Sequence, residues 1–144
     1  MASLDRLSAT YQDVLQNRLG IDIHRTSDDT LTFAQGALNM VVDLYPNDPE
    51  YLRLFVRQQL PPELDNETSH LICSRVTQQI KVAKITVQDA HVLGAVEMFV
   101  AGTSLVPQPE QLAAVLPRAI RVLETAMTRC AEIILLEVDL RRNA

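Results

Sequence analysis

Three side chains on one predicted helix could bind a metal ion. Glu67 and His70 form a Glu-x-x-His pair, and Cys73 follows at the next helical spacing, so all three project from one side of a helix. Carboxylate-bridged metal centres in helical bundles use two such pairs, and structural zinc sites use four ligands. This stretch supplies one pair and one thiol. The pattern therefore favours an ordinary amphipathic helix, and we expect no metal and no other cofactor.

A hydrolytic site is the second chemistry that the residue types allow. Triad members need not be close in sequence, and the candidates are two Asp-x-His pairs and two nucleophiles: Asp22 with His24, Asp89 with His91, and Ser104 or Cys73. Neither nucleophile lies in a nucleophile elbow or a glycine-rich oxyanion loop. The four glycines form neither a P-loop nor a GxGxxG pattern. We therefore expect no catalytic residues and no nucleotide site.

Composition and charge indicate a single domain over residues 1–144. Hydrophobic residues make up 47% of the chain and charged residues 22%, which is typical of globular proteins. A formal net charge of −5 disfavours nucleic acid and anionic membranes as partners. Cys73 and Cys130 are too few for a disulfide scaffold, and the N-terminal residues lack the pattern of an export signal. The expected location is the cytoplasm, with both thiols in the core.

The first half of the chain is predicted to be one helix followed by three strands. Apolar residues recur at helical spacing between a predicted N-cap at Ser3 and a stop at Gly20. The period then changes to two, which predicts strands around residues 31–33, over residues 38–44 and over residues 51–60. The last two strands flank a proline-rich turn and are expected to form an antiparallel hairpin.

The second half is predicted to be a helix, a hairpin and a long helix. Asp65 or Asn66 can cap a helix that runs to about Ile80. Residues 82–87 and 92–100 alternate around a turn, which predicts the second hairpin. The final helix carries an apolar stripe from Leu112 onwards, and Pro117 predicts a kink or a later start. The element order indicates an α+β fold with a five-stranded antiparallel sheet and packed helices.

The element order and several motifs carry a resemblance to a known family. The run Asp48-Pro49-Glu50-Tyr51-Leu52-Arg53-Leu54 precedes Asn66, which opens the middle helix, and Leu112, which opens the last one. Over roughly residues 20–130 the chain resembles the YbjN-like family of bacterial proteins. The resemblance implies a fold like that of type III secretion chaperones, which are small acidic dimers that bind another protein without performing chemistry. It implies no catalytic or cofactor residue.

Two predicted strands are apolar on both faces. One explanation is a helix over each face, and the other is an exposed surface of aromatic and arginine side chains, a composition enriched at protein interfaces. Guanidinium groups on such a surface can pair with carboxylates of an incoming segment. We predict a partner-binding face for a protein or peptide segment, formed by Tyr51, Arg53, Phe55, Arg57, Leu93 and Phe99.

The apolar residues near the C-terminus are too many for one helical stripe. We therefore predict a homodimer in which Ile133 and Leu136 contact a second copy. The resemblance suggests an alternative contact on the middle helix, around Leu71, Ile72 and Val76.

These patterns together predict a non-enzymatic protein-binding module of the cytoplasm, either chaperone-like or regulatory. The alternative is a small-ligand sensor or an unrecognised enzyme. That alternative requires polar groups that converge in a deep pocket, which a sequence does not show.

Overall fold

The computed structural model describes residues 3–100 and 106–144 and has an α+β fold, as the element order indicates. The three helices are α1 (Leu4–Gln12), α2 (Asn66–Gln79) and α3 (Pro109–Arg142). The strands are β1 (Ile23–Ser27), β2 (Thr30–Gln35), β3 (Leu38–Asp43), β4 (Tyr51–Gln59), β5 (Ala83–Gln88) and β6 (His91–Phe99). All strands are antiparallel to their neighbours in one sheet, in the order β1-β2-β3-β4-β6-β5.

The sheet has six strands rather than the predicted five, because four strands precede α2. A polar turn at Asp28 and Asp29 divides the predicted first strand region into the hairpin of β1 and β2. The guanidinium of Arg25 stabilises this turn by donating to the Asp28 carbonyl at 2.8 Å. β1 lies at the edge of the sheet and buries Ile23 alone of its five residues. Its sequence therefore lacks the alternation that marks a half-buried strand.

The first helix begins where the sequence predicts. The Ser3 hydroxyl accepts the Arg6 N–H at 3.2 Å and caps α1. After α1 the chain continues through a wider π-helical segment, Asp13–Arg18, that buries both Val14 and Leu15. Gly20 follows in the left-handed region at φ +67° and ends the helical path.

All three helices lie on one side of the sheet, which we call the inner face. Gly94 of β6 lies directly beneath α3, and a Cβ at this position would collide with the Met127 side chain. Gly94 pairs in register with Val56 and Ile85, so it does not form the bulge considered from the sequence. α1 and α2 both pack against α3. The core therefore lies between α3 and the inner face, where the buried side chains include Leu31, Met40, Leu52, Leu54, Val96, Leu116 and Leu123.

The ends of α2 and α3 are close to the predicted ones. The Asp65 carboxylate accepts the Thr68 N–H at 2.6 Å and caps α2. α3 begins at Pro109, where the Gln108 N–H donates to the side chain of Gln111 at 3.0 Å. Pro117 therefore lies inside α3, and the alternative of a later helix start was wrong.

α2 covers the free edge of β5. The Thr77 hydroxyl accepts the Ile85 N–H at 2.9 Å and donates to the Ile85 carbonyl at 3.1 Å. These two backbone groups point away from β6 and would otherwise be open to pairing with another strand. α2 thus closes one of the two edges of the sheet.

Candidate functional site

The sheet face opposite the helices, which we call the outer face, contains all six residues of the predicted partner-binding surface. The register places Tyr51 opposite Phe99 and Arg57 opposite Leu93, with Arg53 and Phe55 between them on β4. Each helix packs on the inner side, so no helix of the described part of the chain covers this face. The explanation in which each face has its own helix is therefore wrong for residues 3–100 and 106–144.

An aromatic cluster occupies one end of the outer face. The ring centroids of Tyr45 and Tyr51 are 5.1 Å apart in an edge-to-face arrangement, and those of Tyr51 and Phe99 are 5.9 Å apart. Phe99 is 71% exposed, which makes it the most exposed large apolar side chain in the described part of the chain. Partial burial and the hydrogen bond to Glu97 raise the pKa of Tyr51, so its hydroxyl stays protonated and donates to that carboxylate.

Arg53 joins three strands on the outer face. Its guanidinium Nη1 lies 2.7 Å from Asp43 Oδ2 on β3, and its Nε lies 3.1 Å from Glu97 Oε1 on β6. The guanidinium carbon lies 4.3 Å from the centroid of the Phe55 ring. Two carboxylates of the same chain already bind Arg53, which leaves less of its guanidinium for a partner's carboxylate than the sequence suggests. Arg53 holds Phe55 and the neighbouring strands in place.

The predicted dimer contacts divide between the core and the surface. Ile72 and Val76 are 5% and 0% exposed and belong to the core of their own chain, so neither is available to a second copy. Leu71 is exposed on the outside of α2. On α3, Ile133 is half-buried and Leu136 is 65% exposed. The predicted contact on α3 therefore stays the candidate, and the alternative on α2 retains Leu71 alone.

Leu140, one of the surplus apolar residues near the C-terminus, extends the apolar surface of α3. Leu140 is 67% exposed and lies one turn beyond Leu136. Leu136 follows Ile133 by three positions, and Leu140 follows Leu136 by four. Residues at these spacings share one side of a helix. We call Ile133, Leu136 and Leu140 the α3 seam. The spacing itself is the signal that could have identified it.

The side chains considered for metal or hydrolytic chemistry do not come together. Glu67 and His70 are exposed on α2, whereas Cys73 points inward, where its thiol is hydrogen-bonded to that of Cys130 on α3. That hydrogen bond and burial raise the pKa of Cys130, so it is a protonated core thiol. In the described residues no three His, Cys, Asp or Glu side chains are placed to hold a metal ion.

The two Asp-x-His pairs and the thiol of Cys73 lie in different elements of the fold. His24 is 3.9 Å from Asp22 at the β1 edge, and His91 accompanies Asp89 in the turn between β5 and β6. Cys73 is buried in α2. Ser104 lies outside the described residues.

An apolar cleft of about 390 Å³ opens between α3 and the β5–β6 edge. Arg118 is the one charged side chain among its described lining residues, which otherwise are apolar and include Val82, Val96, Met98, Val115 and Val122. Small-molecule sites usually combine an apolar lining with several polar groups that fix the ligand. The cleft offers less support for a ligand sensor than the outer face offers for a protein-binding role.

The resemblance to the YbjN-like family rests on sequence motifs alone. No model of a protein family matches the chain, and no curated protein matches it significantly. The motifs at residues 48–54, Asn66 and Leu112 therefore remain the whole basis of that prediction. Among the described helices, including the 34-residue α3, none is long and apolar enough to cross a membrane.

Proposed function

We propose that this protein is a non-enzymatic binding module of the cytoplasm, chaperone-like or regulatory, that holds a segment of another protein on its outer face. The observation that carries the proposal is the exposed aromatic cluster on a sheet whose helices all lie on the opposite side. The type III secretion chaperone-like fold implied by the resemblance agrees with this role.

Phe99 and Tyr51 provide the aromatic contact area of the outer face. Aromatic side chains bury a large apolar area and lose few rotamers on binding, so they are enriched among the residues that dominate interface energies. The Arg53 ion pairs fix the Phe55 ring in place before a partner arrives. A surface that is already ordered loses less conformational entropy on association. The outer face is thus suited to binding rather than to chemistry.

Affinity capture from the native cytoplasm, followed by mass spectrometry, tests the proposal. Phe99→Ala should reduce capture of the specific partner by a factor equivalent to about 1–2 kcal/mol, because it removes the most exposed ring of the cluster. Its melting temperature should stay close to that of the wild type. Leu135→Ala is the matched control, since Leu135 is an exposed apolar residue on α3. Equal capture by the wild type and Phe99→Ala would contradict the proposal.

We also propose that the protein forms a homodimer through the α3 seam. Leu136 and Leu140 are exposed at adjacent turns of α3, and Ile133 continues the same line towards the core. Apolar residues repeated at spacings of three and four are typical of helix pairing. A two-fold arrangement of this kind leaves the outer face of each copy open to a partner.

A further inference from the structure

The charged side chains on the outer face are of two kinds. Asp43, Arg53 and Glu97 form one closed group, in which the single guanidinium is shared by both carboxylates. Arg57 on β4 and Lys84 on β5 are exposed, and neither side chain makes an ion pair or hydrogen bond with any residue in the ranges 3–100 and 106–144. The outer face therefore has two unpaired positive charges beside a closed group in which two carboxylates share one guanidinium.

The register places these two cations on the two sides of β6. Arg57 lies opposite Leu93, and Lys84 lies opposite Ala95, two residues further along β6. The small side chain of Ala95 leaves a hollow of about 300 Å³ on the outer face. Its lining includes Lys84, Leu93 and Thr86 and also Glu97, whose carboxylate is already paired with Arg53. A strand spacing of about 4.8 Å and a rise of about 3.4 Å per residue put the two cationic Cα atoms about 12 Å apart.

We infer that the outer face selects an acidic segment, with two carboxylates that pair with Arg57 and Lys84 and an apolar side chain between them that packs on Leu93 and Ala95. This inference rests on the proposed function and names the chemistry of its partner. Acidic residues four positions apart share one face of an extended chain at about 14 Å, close to the separation of the two cations, and the residue midway between them points the same way.

The overall charge of the protein makes this local pattern informative. A net charge of −5 opposes nonspecific attraction of acidic chains. Salt at physiological strength screens charges beyond about 8 Å, so the cations nearest the segment decide the local interaction. Arg57 and Lys84 are the unneutralised strand cations on the outer face, which gives an acidic segment a preferred position there.

Three labelled synthetic nonapeptides provide the probes. One has two glutamates four positions apart with phenylalanine midway between them in a serine background, the second has glutamine in place of each glutamate, and the third has lysine. Fluorescence anisotropy measures their dissociation constants for the full chain at low and physiological salt. The acidic peptide should bind about fivefold to tenfold more tightly than the glutamine peptide, as expected for two solvent-exposed ion pairs. The preference should shrink at the higher salt concentration.

Variants locate the charge preference on the protein. The double variant Arg57→Gln with Lys84→Gln should bind the acidic and glutamine peptides equally. Arg121→Gln, which removes an exposed cation from α3 on the other side of the sheet, should keep the wild-type preference. Circular dichroism confirms that each variant is folded.

The outcomes separate this inference from the proposed function. If the glutamine or lysine peptide binds as well as the acidic one, and Phe99→Ala weakens both, the outer face binds segments without selecting charge and the inference is overturned. If the acidic preference survives in the double variant, or no peptide binds the wild type at millimolar concentration, the inference is likewise overturned. Partner capture by the wild type and Phe99→Ala then decides the proposed function independently.

Discussion

At the scale of single residues, Ala90 has a strained backbone conformation. Asp89 and Ala90 form the two-residue turn between β5 and β6, with φ angles of +48° and +59°. Two positive φ values are typical of a type I′ hairpin, in which glycine is strongly preferred at the second position. A residue with a Cβ pays about 1–2 kcal/mol for this conformation.

We therefore expect Ala90→Gly to raise the free energy of unfolding by about 0.5–1 kcal/mol, after the greater flexibility of glycine in the unfolded chain is subtracted. Urea denaturation measures the change. Ala37→Gly is the matched control, because Ala37 occupies the β2–β3 turn without a positive φ and gains nothing from glycine. A loss of stability in both variants would contradict the strain at Ala90.

Arg53 illustrates what sequence reasoning reached at this scale and where it stopped. Alternation along one strand predicts which of its residues share a face, and Tyr51, Arg53 and Phe55 do share one. The neighbours across the sheet depend on the pairing register, which no single strand encodes. Asp43 and Glu97 neutralise Arg53 only because β3 and β6 align with β4 as they do. For the same reason, the sequence could not predict that the side chains of Arg57 and Lys84 are unpaired.

At the scale of elements, the contact between Thr77 and β5 decides how well the sheet edge is closed. Thr77→Val keeps the shape of the side chain but leaves the Ile85 N–H and carbonyl without their partner. We expect a loss of about 1–3 kcal/mol in the free energy of unfolding, together with faster hydrogen exchange at the Ile85 amide. Thr77→Ser retains the hydroxyl and should retain the protection. Equal stability of the two variants would show that the contact contributes little.

The N-cap of α2 gives the fold a pH-dependent contribution. The Thr68 N–H donates to Asp65, and Arg141 lies beside it, so the pKa of that carboxyl is held below its usual range. A lowered folded-state pKa means that the charge stabilises the fold above the unfolded value of about 3.9 and that this contribution is lost as the pH falls through the folded value.

The stability of the wild type relative to Asp65→Asn should follow this pattern. Asparagine still caps the helix, so the comparison isolates the charge. We expect the wild type to be the more stable protein near pH 6, with a difference that shrinks as the pH falls below the unfolded value of about 3.9. Denaturation curves across this range provide the measurement. A difference that stays constant down to pH 2.5 would exclude the proposed role of the Asp65 charge.

Whether an element could be predicted from the sequence depended on how regularly it buries its side chains. β4 and α3 bury regular stripes, so their periods predicted them well. β1 buries a single residue and therefore has no period to detect. Ile72 and Val76 occupy apolar helix positions that look alike whether they face the core or a second copy. Only the packing of α2 against α3 and β5 decides between these possibilities.

At the scale of the whole molecule, the α3 seam predicts the oligomeric state. The wild type should have a mass of about twice the 16.1 kDa chain in light scattering at micromolar concentration. Leu136→Glu combined with Leu140→Glu places two carboxylates in the seam and should give a monomer. Leu71→Glu changes the exposed leucine of α2 and should remain a dimer. A wild-type mass that stays near 16.1 kDa on concentration would rule out the dimer.

The strand order also has a consequence for how the chain is made. β1 to β4 pair in sequence, but the second neighbour of β4 is β6, which lies across α2 and β5. About 40 residues separate the end of β4 from the end of β6, and a ribosome adds about 5–20 residues per second. For roughly 2–8 seconds the nascent chain has a finished four-strand meander whose β4 edge is still open. During synthesis this nine-residue edge, rather than either edge of the finished sheet, is where aggregation between nascent chains would begin.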